Sequence, residues 1–193
     1  ADAVKIQTYT ADTMTIKHGG SDFQLASGPW KGRTLYELYE SASTPWDWHH
    51  ALFNRGRELG ITVFSTPFDR SAVDFLHQFD PPIYKIASFE LVDLPLIRYI
   101  AATGKPIIMS TGMASWIEVE EAVQTARDEG CNDICLLHCT SGYPTPPDQS
   151  DLLTIPELAS RFGVLVGLSD HTLSPVVPIS AVALGASVIE KHF

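Results

Sequence analysis

Hydroxyl side chains follow the ends of several short apolar runs in this 193-residue sequence. Two lysines, Lys5 and Lys85, lie inside runs of the same kind. Lysine supplies positive charge and serine or threonine supplies directional donors, so the combination suits a pocket for a small dianion. A single hydroxyl at such a place more commonly caps the helix that follows, but five strand ends together with two lysines favour a site. The hydroxyls are those of Ser65, Thr66, Ser88, Ser110, Thr111, Thr140, Ser141 and Ser169.

Polar residues also recur at every second position within the apolar runs. Because side chains alternate along a strand, residues two apart share a face, and polar pairs on buried strands are costly unless they line a site. Two of these residues, His171 and His192, end the last two runs and could share one divalent ion. The alternative is two hydrogen-bonded histidines at a strand edge. The pairs are Lys5 with Gln7, Ser169 with His171, and Glu190 with His192.

Seven β-prone runs alternate with helical segments at intervals of about 20–30 residues, the spacing of a (β/α)₈ barrel. We therefore predict the α/β class and a TIM (β/α)₈ barrel, with seven of eight β/α units present and the eighth before residue 1. Parallel strands would bring their hydroxyl-rich ends to one rim. An open doubly wound sheet ranks second, because neither GxGxxG nor GxxxxGKS/T occurs. The predicted strands cover residues 4–8, 61–65, 83–87, 106–110, 134–138, 164–168 and 187–192.

The segments between the strands carry helix signals. A helix from Thr44 to Gly60 would have Thr44 as N-cap and Pro45 at its first position, and Ser115 with Glu118 forms a capping box. Residues 9–43 are predicted to be irregular, broken at Gly19-Gly20, Gly28-Pro29 and Gly32, and either functional or a surface loop with aromatic anchors. The other predicted helices cover residues 70–78, 94–103, 155–161 and 174–184.

Composition excludes several classes of function. The net charge of −10 argues against nucleic acid or an anionic membrane surface as a partner. No apolar run approaches a transmembrane span, and no signal peptide is evident. Cys131, Cys135 and Cys139 lie in one apolar neighbourhood without a CxxC pair, which indicates reduced core thiols in a cytoplasmic protein. A metal-binding trio of these cysteines is the alternative.

Five segments carry a resemblance that spans nearly the whole sequence. They are Tyr84–Ser88 (YKIAS), Pro106–Met113 (PIIMSTGM), His138–Pro144 (HCTSGYP), Gly167–Thr172 (GLSDHT) and Ile189–Phe193 (IEKHF). Through them the sequence resembles the sialic acid (N-acetylneuraminate) synthase family. Two further segments are similar to the pseudaminic acid synthase branch of that family. These are Trp30–Tyr36 (WKGRTLY) and Thr44–Trp48 (TPWDW).

The resemblance implies a barrel enzyme that condenses phosphoenolpyruvate with an N-acylated amino sugar to give a nonulosonic acid and phosphate. It implies a divalent metal, Mn²⁺ or Mg²⁺, on His171 and His192, and catalytic roles for these histidines, Lys85 and Glu90. Gln7 and Glu90 would face the sugar. The residues implied to bind phosphoenolpyruvate are Lys5, Thr66, Lys85, Ser88, Ser110, Tyr143, Ser169 and Ser141, the last standing where many members have Asn.

The resemblance also implies a domain organisation. Residues 1–193 would be one synthase barrel domain, with the first barrel strand and a C-terminal antifreeze-like domain outside this sequence. At full length the resemblance implies a homodimer. It suggests no partner beyond the two substrates.

Other functions remain open at this point. The sugar could be that of an N-acetylneuraminate or legionaminic acid synthase. A Schiff-base aldolase could use Lys85 or Lys5, since barrel strands often carry such a lysine. A protein that binds a phosphorylated ligand without catalysis is the third possibility.

Overall fold

The computed structural model describes residues 1–27 and 30–192, which fall into two compact units, Ala1–Pro82 and the residues from Ile83 onward. Within the described residues, no helix combines the length and the apolar character that crossing a bilayer requires. Both units alternate parallel strands with helices, so the predicted α/β class is confirmed.

The first unit has two parallel strands, which pair with Lys5 opposite Phe64 and Gln7 opposite Thr66. Helices follow each strand and cover one face of the pair. Its elements are β1 (Ala3–Thr8), α1 (Ala11–Met14), a 3₁₀ turn (Ser21–Phe23), α2 (Leu35–Ala42), α3 (Trp48–Leu59), β2 (Thr62–Pro67) and α4 (Arg70–His77).

The second unit contains five parallel strands that pair in chain order. All strand predictions agree with the structure to within a few residues at each end. The elements are β3 (Tyr84–Ile86), a 3₁₀ turn (Phe89–Val92), α5 (Leu94–Ala101), β4 (Ile107–Ser110), α6 (Trp116–Asp128), β5 (Ile134–Cys139), a 3₁₀ turn (Pro147–Gln149), α7 (Thr154–Phe162), β6 (Leu165–Asp170), α8 (Val176–Ala183) and β7 (Val188–Lys191).

The strand register of the second unit assigns polar residues to one face of its strands. Cys139 is opposite Ser169, and Ser169 is opposite Glu190. Lys85 is opposite the β4 residue that lies two positions before Ser110. Because residues two apart on a strand share a face, Lys85 and Ser110 lie on the same face. We call the face that carries Lys85, Ser110, Cys139, Ser169 and Glu190 the site face. The opposite face is mostly apolar and packs against the helices, with His138, Asp170 and Lys191 as its polar members near the strand ends.

The apolar face accounts for most of the core of the second unit. Its strand residues and the facing positions of α5 and α6 are essentially fully buried, and each such aliphatic side chain contributes about 1.5–3 kcal/mol by leaving water. The helices therefore support the strands from one side, while Ile108, Cys135 and Leu137 are buried on the site face. The residues of the apolar face and of the helices include Ile86, Met109, Leu136, Ile97, Ile100, Ala122 and Ala126.

Helix caps confirm one prediction and correct two. Ser115 and Glu118 form the predicted capping box of α6, with the Ser115 amide donating to the Glu118 carboxylate at 2.7 Å. Helix α3 begins at Trp48, so the prediction of Thr44 as its N-cap is wrong. The reason is a tight turn ahead of the helix, in which the Trp48 amide donates to the Pro45 carbonyl at 3.0 Å.

The prediction that residues 9–43 are irregular is also wrong. This stretch contains α1, the 3₁₀ turn and α2. Helix α2 starts with a second capping box, in which the Thr34 amide donates to the Glu37 carboxylate at 2.8 Å and the Glu37 amide donates to Thr34 Oγ1 at 3.2 Å. The predicted break at Gly28-Pro29 lies outside the described residues.

A buried polar chain crosses the first unit on the face opposite Lys5 and Gln7. His49 Nδ1 lies 3.2 Å from the Pro45 carbonyl, His49 Nε2 lies 2.8 Å from Thr8 Oγ1, and Thr8 Oγ1 lies 2.7 Å from Ser65 Oγ. Burial lowers the pKa of His49 and outweighs its hydrogen bonds to backbone carbonyls. The imidazole is therefore neutral, and since a carbonyl only accepts, Nδ1 carries the proton.

Candidate active site

Lys85 is buried to 1% exposure on the site face. Its Nζ donates to Ser110 Oγ at 2.7 Å and to the Ile86 carbonyl at 3.0 Å. Glu190 Oε2 lies 4.0 Å from Nζ, and Ser169 Oγ donates to Glu190 Oε1 at 3.3 Å. A buried charge requires such partners because desolvation is expensive. Ser110, Lys85, Glu190 and Ser169 thus form one polar cluster that links β4, β3, β7 and β6.

A second group of polar atoms meets around Gly112, just beyond β4. The Gly112 amide donates to Ser88 Oγ at 3.1 Å. A Cβ built on Gly112 would lie 2.6 Å from Ser141 Oγ, 2.8 Å from Ser88 Oγ and 3.2 Å from Cys139 Sγ. The lack of a side chain at residue 112 therefore leaves room for two hydroxyls and a thiol from neighbouring strand ends.

We expect Gly112→Ala to weaken phosphoenolpyruvate binding while leaving the fold intact. The added methyl group would displace the Ser88 and Ser141 hydroxyls, and misplacing a binding group by about 1 Å can cost as much as ~100-fold in activity. Calorimetric titration with phosphoenolpyruvate would measure the loss. Gly19→Ala is the matched control, because its new Cβ meets no atom within 4 Å. Equal affinities for the two variants would contradict the role of this convergence.

His171 and His192 lie just beyond the ends of β6 and β7, and their ring centroids are 5.3 Å apart. The Tyr143 ring lies 4.1 Å from that of His171 and 5.8 Å from that of His192. His171 Nδ1 donates to the Thr140 carbonyl at 3.0 Å. Tyr143 is 70% exposed, so the two imidazoles are covered on one side by an aromatic ring that faces solvent.

Cys139 belongs to the same group of residues, with its Sγ 3.9 Å from His171 Nδ1. Burial raises the pKa of the Cys139 thiol, but hydrogen bonds with His171, Ser88 and Ser169 outweigh burial and lower it. Burial lowers the pKa of His171, but the hydrogen bonds to Cys139 and to the Thr140 carbonyl outweigh this effect, so the pKa is raised overall. Each of the two groups therefore stabilises the charged form of the other.

The two histidines fit a divalent cation. With metal–nitrogen bonds of about 2.1 Å, two imidazoles at this separation can reach one ion. Hydrogen bonding of Nδ1 to a backbone carbonyl also leaves Nε2 of a neutral His171 as the ligand atom. Among the described residues, no group of three or more His, Cys, Asp or Glu side chains is placed to hold an ion. Of the residues that the structure describes, His171 and His192 are thus the two that could hold a cation here.

Glu90 lies in the 3₁₀ turn that follows β3. Burial raises the pKa of its carboxyl, outweighing its own backbone hydrogen bond and the charge of Lys85. Its Oε2 is buried and finds no hydrogen-bond partner within the described part of the chain. An unsatisfied buried acceptor costs about 1–3 kcal/mol. The position therefore favours a ligand that donates a hydrogen bond to it.

The first unit brings the other three predicted residues to one face. Lys5 and Gln7 are two residues apart on β1 and so share a face, and the register places Thr66 opposite Gln7. Thr66 is fully buried, and its hydroxyl has no hydrogen-bond partner among the residues the structure describes. Lys5 and Gln7 are half-buried. This face is polar, whereas the opposite face carries the His49 chain.

Sequence reasoning missed the contacts of Cys139 and the requirement for Gly112. The three cysteines are free and buried, as predicted. Cys139 also touches the site, but a cysteine at the end of an apolar run is typical of a core residue. His138 lies on the opposite face and donates from Nε2 to the Ser150 carbonyl at 2.8 Å.

Comparison with known proteins gives consistent matches over the whole chain. The chain is 48% identical over 193 residues to pseudaminic acid synthase of Campylobacter jejuni, covering 100% of this chain and 56% of that protein. It is 38% identical over 198 residues to N,N'-diacetyllegionaminic acid synthase of Legionella pneumophila, covering 100% of this chain and 55% of that protein. The chain thus spans little more than half the length of these relatives.

A solved structure shows the same fold. N-acetylneuraminic acid synthetase of Leptospira borgpetersenii, in complex with citrate, matches with a TM-score of 0.87 at 30% identity, over 100% of this chain and 62% of that one. This match confirms the predicted TIM-barrel class. The model of the NeuB family matches residues 1–193. The chain therefore belongs to the NeuB family.

Proposed function

We propose that this protein is a nonulosonic acid synthase that condenses phosphoenolpyruvate with an N-acylated amino sugar and releases phosphate. The observation that carries the proposal is the Ser110–Lys85–Glu190–Ser169 cluster beside the His171 and His192 pair. It combines a buried cation and hydroxyl donors with two imidazoles. A cytoplasmic setting, where free thiols stay reduced, and a homodimer at full length are part of the proposal.

The lysine and the hydroxyls are assigned to phosphoenolpyruvate. Lys85 is held by Ser110 and the Ile86 carbonyl, so its charge is in place before the substrate arrives. Preorganised charge of this kind stabilises developing negative charge without reorganisation during the reaction. Ser88, Ser141, Ser169 and Tyr143 are the further assigned contacts in the second unit, and Lys5 and Thr66 are those in the first.

Glu90 and Gln7 are assigned to the amino sugar. The Glu90 Oε2 atom is a buried acceptor that a sugar hydroxyl or amide could satisfy. His171 and His192 are assigned to Mn²⁺ or Mg²⁺, which when bound would supply a Lewis acid that polarises an aldehyde oxygen. The residues of this chain then hold both substrates and orient them.

A sugar of the pseudaminic type is proposed over N-acetylmannosamine. Identity to the pseudaminic acid synthase of C. jejuni exceeds identity to the legionaminic acid synthase of L. pneumophila. The segment 30–39 adds an exposed aromatic surface, with Trp30 51% exposed and Lys17 Nζ 4.8 Å from the Tyr36 ring centroid. Such a surface suits a deoxy sugar with an apolar methyl group better than it suits a polyhydroxy tail.

Phosphate release by the full-length protein tests the proposal. Each reaction would contain phosphoenolpyruvate, Mn²⁺ and one sugar, either N-acetylmannosamine or the diacetamido-trideoxy-altrose. We expect faster release with the altrose sugar. Faster turnover of N-acetylmannosamine would assign the sialic branch instead. Binding of phosphoenolpyruvate without phosphate release from any amino sugar would favour a non-catalytic binding protein.

Lys85 argues against the aldolase alternative. Its Nζ is engaged by Ser110, by the Ile86 carbonyl and by nearby Glu190, so the amine is not free to attack a carbonyl. Borohydride with a carbonyl substrate would trap a lysine adduct in a Schiff-base enzyme. We expect mass spectrometry to find no such adduct on Lys85.

A further inference from the structure

Thr145 connects the segment after β5 to His171 through both its backbone and its side chain. It is only 3% exposed, although it lies outside the regular elements. Its amide donates to the His171 carbonyl at 3.0 Å. Its hydroxyl lies 2.7 Å from the Gly142 carbonyl and 3.2 Å from the Thr140 carbonyl. A buried hydroxyl with these acceptors fixes the turn formed by residues 140–145.

The Thr140 carbonyl is the acceptor that this turn presents to His171. It accepts from His171 Nδ1 at 3.0 Å, and it shares the single hydroxyl proton of Thr145 with the Gly142 carbonyl. A carbonyl oxygen has two lone pairs and can accept both bonds. The proton of a neutral His171 is therefore held on Nδ1, which leaves Nε2 as an acceptor or ligand atom.

We propose that Thr145 is a positioning residue that fixes the tautomer and the ring orientation of His171. The proposal rests on the proposed function, which gives His171 its role as a metal ligand. The partner that accepts from the second nitrogen of a ligating histidine, here the Thr140 carbonyl, sets ligand basicity, and loss of such a partner commonly costs 10–100-fold in metal affinity or activity. Thr145 would act only through His171 and the Thr140 carbonyl.

Three variants of the full-length protein test this proposal. Thr145→Val removes the hydroxyl at nearly constant shape. Thr145→Ser keeps a hydroxyl at the same place and serves as the conservative variant. Thr125→Val is the matched control, since Thr125 is also a buried threonine but lies within α6. Long-range nitrogen–proton NMR of the metal-free proteins at alkaline pH would report the His171 tautomer, and titration with Mn²⁺ would report affinity.

We expect an Nδ1–H tautomer in the wild type, in Thr145→Ser and in Thr125→Val, and a mixed or Nε2–H tautomer in Thr145→Val. The Mn²⁺ affinity of Thr145→Val should fall about tenfold or more. An Nε2–H tautomer in the wild type would overturn the proposal without any variant having to fold. Unchanged tautomer and Mn²⁺ affinity in Thr145→Val would overturn it as well.

The metal-free spectra separate this proposal from the proposed function. A tautomer and an Mn²⁺ affinity that depend on Thr145 support positioning even if no amino sugar is condensed, in which case only the synthase assignment fails. Condensation by a Thr145→Val protein at the wild-type rate and affinity, with the wild-type tautomer, supports the synthase assignment and removes Thr145 from it.

Discussion

Lys85→Met should reduce phosphoenolpyruvate-dependent phosphate release by about 100–1,000-fold, the loss typical of removing one preorganised electrostatic contact. Methionine fills a similar volume but leaves Ser110 and Glu190 without the cation between them. The negative charge of Glu190 would then face the incoming anion. We expect calorimetry to show weaker phosphoenolpyruvate binding as well, because the lysine is assigned to the ground state and to the transition state.

Lys105→Met is the matched control for this prediction. Lys105 is half-buried and lies before β4, at the opposite end of the strand from Ser110, so its replacement should leave kcat/KM within about twofold. Circular dichroism would confirm that both variants are folded. A folded Lys85→Met protein with wild-type turnover would exclude Lys85 from the site.

Removal of divalent cations should abolish activity, and Mn²⁺ or Mg²⁺ should restore it. Two neutral protein ligands give modest affinity, so the ion should exchange readily. His171→Ala or His192→Ala should each cost most of the rate, since a Lewis acid supplies several kcal/mol of stabilisation. Phosphoenolpyruvate affinity should change little, because that substrate is assigned to Lys85 and the serines.

His77→Ala controls for the loss of a histidine as such, because His77 lies on the exposed side of α4. It should keep full activity and the same chelator sensitivity as the wild type. Full turnover by wild-type protein whose metal content has been brought close to zero would rule out the metal role. His171 and His192 would then be hydrogen-bonding residues only.

The strands could be predicted because their signals are local. Each strand is a short apolar run with a break at either side, and Ser169 and Glu190, which belong to two of the predicted polar pairs, lie opposite each other in the register. The start of helix α6 could be predicted in the same way, because Ser115 and Glu118, three residues apart, form the capping-box pattern. These features depend on neighbouring residues alone.

The wrong predictions concern segments whose structure is decided by competing local signals or by contacts between residues distant in sequence. The Thr34–Glu37 capping box was present in the sequence, but the glycines around it favoured an irregular loop. Helix α3 starts late because the Pro45 carbonyl is occupied by a turn and by His49, contacts that are visible only in the folded chain. Thr145 was missed because its partner His171 is remote in sequence.

The hydroxyl–imidazole chain of the first unit also has a direction. His49 Nδ1 donates to the Pro45 carbonyl, so Nε2 accepts from Thr8, and the only proton available to Thr8 Oγ1 is that of Ser65, whose hydroxyl also lies 3.1 Å from the Ile6 carbonyl. Thr8 cannot reverse while His49 keeps its proton on Nδ1, whereas the Ser65 proton can turn between Thr8 and the Ile6 carbonyl. Helix α3 and the ends of β1 and β2 should consequently open to solvent as one cooperative unit, with the amides of all three segments exchanging hydrogen at a common rate.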